Sequence, residues 1–284
     1  MHSRRGFSLV QAIVVLVFLA VGLGVAITLI SRQRENALRV QCTLSLKRHG
    51  DAIHAYHDKS RALPPSRIAD GYATWLVFVA PYMQKDSPLT RWDLERQYSA
   101  QADEVRESRM PSQFCPARRR SETLSEAGDL DTNGKHYPGG LGDYASVAGD
   151  GSKDDGDNGA IVPAINVERQ GDRVVKWKSL TGLASLSRGQ EYTFLIGEKH
   201  VTPSGLGDAQ RGDGAIYNGG QPANFARVAG VGFPLVPDVD LEDKTRFGSW
   251  HRGVCHFLFA DTGVRAMTPA TSEFVLATFA RRGK

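Results

Sequence analysis

Several groups of side chains in this sequence have the types and spacing to do chemistry. Asp129-Leu130-Asp131-Thr132-Asn133-Gly134 has the D-x-D-x-N-G pattern of the first half of a calcium loop. Oxygen donors at alternate positions converge on one cation because the glycine permits a sharp turn. The twelfth position, where a bidentate glutamate completes such a loop, is Gly140, so Glu126, Asp143 or an acid from 150–157 would have to substitute. The plainer account is an Asp/Asn/Gly turn that bonds its own backbone. His54 and His57 stand three apart with Asp58 adjacent. On a helix they could share a metal, or simply complement the dipole near a C-terminus. His251 precedes an apolar strand, and could be a site residue or fix the following hairpin by a hydrogen bond. The cysteines are Cys42, Cys115 and Cys255, which allow three pairings. Cys255 alternates with Phe257 and Phe259, the period of a strand facing a core. It therefore reads as an unpaired thiol, which leaves Cys42–Cys115 as the candidate disulfide.

Catalytic patterns are missing. The sequence holds no G-x-S-x-G, H-E-x-x-H, P-loop or Rossmann glycine pattern. Asp154-Asp155 sits in a glycine-rich stretch that nothing visible shields from water. The expectation is no catalytic residue and no enzyme. Net charge is +4, with dense basic spots only at Arg118-Arg119-Arg120 and Arg281-Arg282. Nucleic-acid binding needs a basic face with stacking aromatics, so a solvated surface and no nucleic-acid partner are expected. The 30 glycines and 13 prolines point to many turns.

The elements that must position these groups begin with the N-terminus. No charge occurs between Gly6 and Ser31. Residues 7–30 would make about 36 Å of helix, enough to cross a hydrocarbon core of about 30 Å with some tilt. A core helix rarely stays apolar on every side for so long. A cleaved secretory signal would have a shorter run and a small-x-small site, and the run here ends Thr28-Leu29-Ile30-Ser31-Arg32. Leu38, Cys42, Leu46, Ile53 and Tyr56 then follow three- and four-residue steps. This spacing predicts one helix from about Phe7 to Lys59, stopped by Pro64-Pro65, with its first half in lipid and its second laying a stripe on a globular head. Further expectations are exposed helix and loop over 84–110 and a long loop over 126–159. Hairpins are expected at Val162–Arg169 with Arg173–Trp177 and at Val254–Ala260 with Val264–Met267. Tyr192–Ile196 reads as a strand, 202–232 as surface loops, and Ser272–Ala280 as a short helix.

Arg4-Arg5-Gly6-Phe7-Ser8-Leu9-Val10-Gln11 followed by the apolar run resembles the type IV prepilin and pseudopilin signature. The resemblance implies cleavage by a prepilin peptidase between Gly6 and Phe7, methylation of the new N-terminus, and retention of the helix. The family usually has glutamate where this chain has Gln11. That carboxylate would neutralise a neighbouring subunit's N-terminal amine inside the membrane, whereas Gln11 can accept a hydrogen bond but cannot cancel the charge. Arg32, Arg34, Arg39, Lys47 and Arg48 follow the span, and counting alone would put that side in the cytoplasm. The resemblance instead places the N-terminus inside and the head outside the cytoplasmic (inner) membrane, single-pass.

Across the rest of the chain, Cys42-Thr43-Leu44-Ser45-Leu46-Lys47, Ile53-His54-Ala55-Tyr56-His57-Asp58 and Leu63-Pro64-Pro65 resemble a large group of bacterial prepilin-like proteins. Their soluble part is a domain of unknown function. Trp75 to Met83, where the resemblance implies a tryptophan-led helix, Cys115-Pro116, Asp143-Tyr144-Ala145 with Gly149, and Leu195-Ile196-Gly197-Glu198-Lys199-His200 continue the match. The group ends in His, nine residues, Asp-Gly. Here His251 is followed by Asp261 at that spacing, then Thr262 and Gly263. Residues 188–193 also depart from the group's pattern.

Together these features give an α+β, pilin-like fold with a long N-terminal helix packed on an antiparallel sheet with long loops. The expected divisions are a leader (1–6), a transmembrane half-helix (7–30), an amphipathic half-helix (31–60) and a globular head (61–284). The expected role is a pilin or pseudopilin-like subunit of a secretion or fibre system, type II secretion among them, with other pilin-like subunits as partners. The alternative is a membrane-tethered module that does not polymerise and binds a ligand such as a glycan. Pseudopilin heads often bind calcium, which adds weight to Asp129, Asp131 and Asn133.

Overall fold

The structure, a computed structural model, describes residues 9–119, 123–152 and 158–283, apart from the side chain of Ala12. Its first element, α1 (Leu9–Ser60), is unbroken. Between Leu9 and Ile30 its large apolar side chains lie open, Leu9 at 78% and Phe18 at 73% exposure. The helix is long and apolar enough to cross a membrane. From Glu35 onward one face turns inward, and Cys42, Leu46, His49, Ala52 and Ile53 are buried. The expected stripe is present, and His49 belongs to it. α1 stops where Arg61 takes a left-handed backbone (φ 57°), just ahead of Pro64-Pro65.

α2 (Trp75–Met83) packs beside α1 and buries every side chain from Trp75 to Ala80. The Trp75 indole donates to the carbonyl of Phe225 at 3.0 Å, and Thr74 Oγ1 donates to that of Ile216 at 2.6 Å. A one-turn helix, α3 (Asp103–Arg106), follows.

Among the described residues, seven strands form two sheets. β1 (Tyr144–Gly149), β4 (Phe194–Glu198), β5 (Ala226–Val228), β6 (Cys255–Phe259) and β7 (Val264–Met267) make one sheet in the order β5-β1-β4-β6-β7. β2 (Ile165–Gln170) and β3 (Arg173–Lys178) form a separate hairpin. The register sets Ala145 against Gly197, Gly197 against Phe257, and Leu258 against Val264. β6 also contacts α1, and α4 (Glu273–Ala280) closes the other face with Leu276 and Ala280 buried among Phe194, Phe257 and Phe259. Both expected hairpins, the β4 strand and both short helices are present.

Three expectations need correction. The main sheet is mixed, because β5 runs parallel to β1, with Ser146 opposite Ala226. Residues 84–110 are not simply exposed: Trp92, Tyr98, Val105 and Met110 are buried, and the Arg106 guanidinium lies 5.0 Å from the Tyr137 ring. Residues 126–159 and 202–232 contribute β1 and β5 as well as loops, and Ile216, Tyr217 and Phe225 are core residues. Glycines permit that packing: a Cβ on Gly214 would sit 2.3 Å from the Cβ of Ala209.

Candidate functional site

Four reactive side chains from four separate segments meet where α1 passes the end of the main sheet. Cys42 projects from α1, and Cys115 follows the short turn Pro111–Gln113. Glu198 ends β4, and His251 stands in the loop before β6. One donor atom from each lies within 4.8 Å of the other three, and all four residues are buried. The sulfurs of Cys42 and Cys115 are 2.8 Å apart. His251 Nε2 lies 3.1 Å from Cys42 Sγ, 3.5 Å from Cys115 Sγ and 3.5 Å from Glu198 Oε1.

A second layer of polar groups holds the four in place. His251 Nδ1 faces Glu35 Oε1 at 3.1 Å, and Arg39 Nε donates to the same oxygen at 2.9 Å. A proton on Nδ1 leaves the Nε2 lone pair directed at the two sulfurs and Glu198. Glu198 Oε2 accepts from the His256 backbone N–H at 2.7 Å and faces His256 Nδ1 at 3.1 Å. Glu198 Oε1 is buried and accepts no hydrogen bond. The Cys115 backbone N–H donates to Asp143 Oδ2 at 2.7 Å.

These contacts set the protonation preferences. The adjacent Cys42 thiol, with burial, pushes the Cys115 thiol well above its ordinary value. Burial opposes ionisation of Glu198, but His256 and His251 outweigh it and hold the carboxyl below its usual range. Burial likewise opposes an imidazolium at His251, and Cys115, Glu198 and Glu35 outweigh that and raise it. The arrangement offers two sulfurs, one nitrogen and one oxygen to a common point, and none of the four residues is open to a solvent-borne substrate.

Beside this cluster lies a buried ionic network. Arg119 bridges Asp143 and Asp213, with Nε 2.9 Å from Asp143 Oδ1 and Nη2 2.6 Å from Asp213 Oδ1. Arg118 Nη1 donates to Asp143 at 2.9 Å, and Lys199 Nζ is 3.2 Å from Asp213. Arg118 and Arg119 are therefore interior ion-pair partners and not the solvated basic spot expected of Arg118-Arg119-Arg120.

The sequence-predicted sites are placed as follows. Cys42 and Cys115 are brought together, while Cys255 lies elsewhere in the core with Sγ 3.5 Å from the Glu198 carbonyl. Asp129 is buried: its carboxylate accepts from the Ala215 backbone N–H at 2.7 Å and from Asn218 Nδ2 at 2.9 Å. Asp131 Oδ1 accepts from the backbone N–H groups of Asn133 and Lys135, the self-bonded turn that was the plainer account. Asp143 is held by Arg118 and Arg119. His54 and His57 diverge, His54 Nε2 toward the Ala260 carbonyl at 2.7 Å and His57 Nε2 accepting from the Leu183 N–H at 3.4 Å. Gln11 lies on the exposed apolar half of α1, and Gly6 and Phe7 lie outside the described residues.

Sequence reasoning singled out three of the four clustered residues, but never as one set, because 73 positions separate the cysteines and 136 separate Cys115 from His251. It assigned no role to Glu198 or Glu35. The available signal at Glu198 was a carboxylate and a lysine at the end of an apolar strand, a place where charge needs a partner.

The chain matches a family described as a protein of unknown function (DUF1559) over residues 31–272. The match takes in the buried half of α1, both sheets and all four clustered residues. No curated protein and no solved structure matches the chain.

Proposed function

The chain belongs to the DUF1559 family of proteins of unknown function, and on that footing we propose that it is a membrane-anchored, pilin-like structural subunit. The observation that carries the proposal is α1 itself. One uninterrupted helix is bare and apolar over Leu9–Ile30 and packed into the head from Glu35 onward. The bare half gains nothing from the head, so lipid or a neighbouring helix must cover it. Helix packing within the bilayer would join the subunit to other pilin-like chains.

The Gly6-Phe7 junction supports processing by a prepilin peptidase, with the N-terminus inside and the head outside the cytoplasmic membrane. In this reading the chain serves a secretion or fibre assembly and carries no catalytic site. Gln11 favours a second reading, a tethered binding module that stays single. N-terminal sequencing of protein isolated from membranes should begin at Phe7, and cross-linking in membranes should give ladders of subunits. A chain that starts at Met1 refutes processing. Cross-linking that yields only single chains refutes assembly and leaves the tethered module. Protease treatment of spheroplasts should digest the head; protection would reverse the orientation.

A further inference from the structure

We infer that Cys42, Cys115, His251 and Glu198 form a structural zinc site that clamps the head to the helix. This inference is independent of whether the subunit polymerises.

The donor set comes first. Two sulfurs, one imidazole nitrogen and one carboxylate oxygen suit a borderline-soft divalent ion and do not suit magnesium or calcium, which take oxygen. Four protein ligands with no open position are the mark of structural zinc, and all four residues here are buried. The geometry is close to what zinc requires. A tetrahedron with bonds of about 2.3 Å to sulfur and about 2.0 Å to nitrogen or oxygen has ligand–ligand edges of roughly 3.3–3.8 Å. The edges here are 2.8 Å between sulfurs, 3.1 and 3.5 Å from sulfur to Nε2, and 3.5 Å from Nε2 to Glu198 Oε1. The two remaining edges, from sulfur to Glu198 Oε1, lie within 4.8 Å, and moving the sulfurs about 1 Å further apart, within reach of a cysteine χ1 adjustment, brings their edge to the tetrahedral value.

A second observation points the same way. Glu198 Oε1 is buried without a hydrogen bond, a costly state that a metal bond would relieve. The outer contacts are those a metal site uses. Glu35 accepts at His251 Nδ1 and so presents Nε2 as the ligand, and His256 holds the other oxygen of Glu198. Binding would displace one proton from each thiol to solvent and leave two thiolates on the ion. Because the ligand Cys42 and the orienting Glu35 belong to α1 and the other three ligands to the head, the ion would tie the helix to the sheet where the apolar run gives way to the packed half.

The test uses the full chain in detergent, reduced, stripped with chelator and titrated with Zn²⁺ or Co²⁺ alone. One ion per chain is expected. The cobalt form should show thiolate-to-metal charge transfer and the strong visible bands of a tetrahedral centre. Zinc at one hundred times its Kd should raise Tm by about 5–10 °C. Glu35→Gln should keep the fold and weaken zinc binding about 10–100-fold. Glu198→Gln should weaken it further, and Cys255→Ser should leave the stoichiometry at one. Either of two results overturns the inference. One is a reduced, folded chain that takes up no stoichiometric metal, or holds it equally well with both Cys42 and Cys115 changed to serine. The other is protein from membranes whose Cys42 and Cys115 are joined as a disulfide and carry no metal.

Discussion

His49 shows how a single residue in α1 can govern the pH response of the whole head. Its Nδ1 bonds the Ser45 carbonyl at 2.8 Å, while Nε2 is buried without a partner near the rings of Trp75 and Tyr144. Burial opposes the charged form and lowers its pKa from 6.5 to about 4, the Ser45 bond recovering only part of the shift. Between those pH values the unfolded chain binds the extra proton. Stability is therefore fullest above about pH 6.5 and declines as the pH falls toward 4, by roughly 3 kcal/mol from this residue. Urea melts at pH 7.5 and 4.5 should show that loss, and His49→Phe should remove its share. Asp213 makes a second prediction. Burial would raise its carboxyl, but Arg119 and Lys199 outweigh that and hold it far below the ordinary range. Asp213→Asn leaves both cations short of a partner and should cost about 3–5 kcal/mol in urea unfolding at neutral pH. At this scale the sequence was legible where a residue's own type carried the information, as with Cys255 in its phenylalanine strand. It was not legible where meaning depends on distant partners. Asp129 looks like a calcium ligand beside Asp131, yet its carboxylate is spent on Ala215 and Asn218.

Elements were readable wherever local pattern and tertiary packing agree. The β6–β7 hairpin follows from Phe257 and Phe259 alternating toward the core and from the Asp261-Thr262-Gly263 turn, where Thr262 takes a φ of 65°. β5 was not readable because it has three residues and pairs in parallel, a contact made by the fold and not by a local turn. Residues 84–110 misled because their charges are frequent while their aromatic anchors, Trp92 and Tyr98, are spaced irregularly. Within β4 of the main sheet, Gly197 lies close under two aromatic rings. A Cβ there would fall 2.6 Å from the Phe257 ring and 3.0 Å from that of Phe247. Gly197→Ala should therefore destabilise the head by about 1–3 kcal/mol, because the rings must leave their packed positions. A lowered urea midpoint with unchanged slope would bear this out; an unchanged midpoint would show that the rings yield freely.

For the whole molecule, the division of α1 into a bare half and a packed half predicts separable behaviour. The chain from residue 31 onward keeps Glu35, Cys42, Leu46, His49 and Ile53, and with them the buried face that α1 lays on the head. A protein lacking residues 1–30 should be soluble without detergent and melt within a few degrees of the full chain, as followed by circular dichroism. Aggregation on removal of the apolar half would mean that it stabilises the head directly.

The contact between Glu35 and His251 also fixes a dimension. Glu35 stands only five positions beyond Ile30, about 7.5 Å along the helix. With the apolar half seated in lipid, the head has no slack in its mooring: it rides close above the headgroups at a set height and a set compass bearing. Whatever it meets must come to it at that level, and turning the buried rod inside the bilayer would swing the whole head with it.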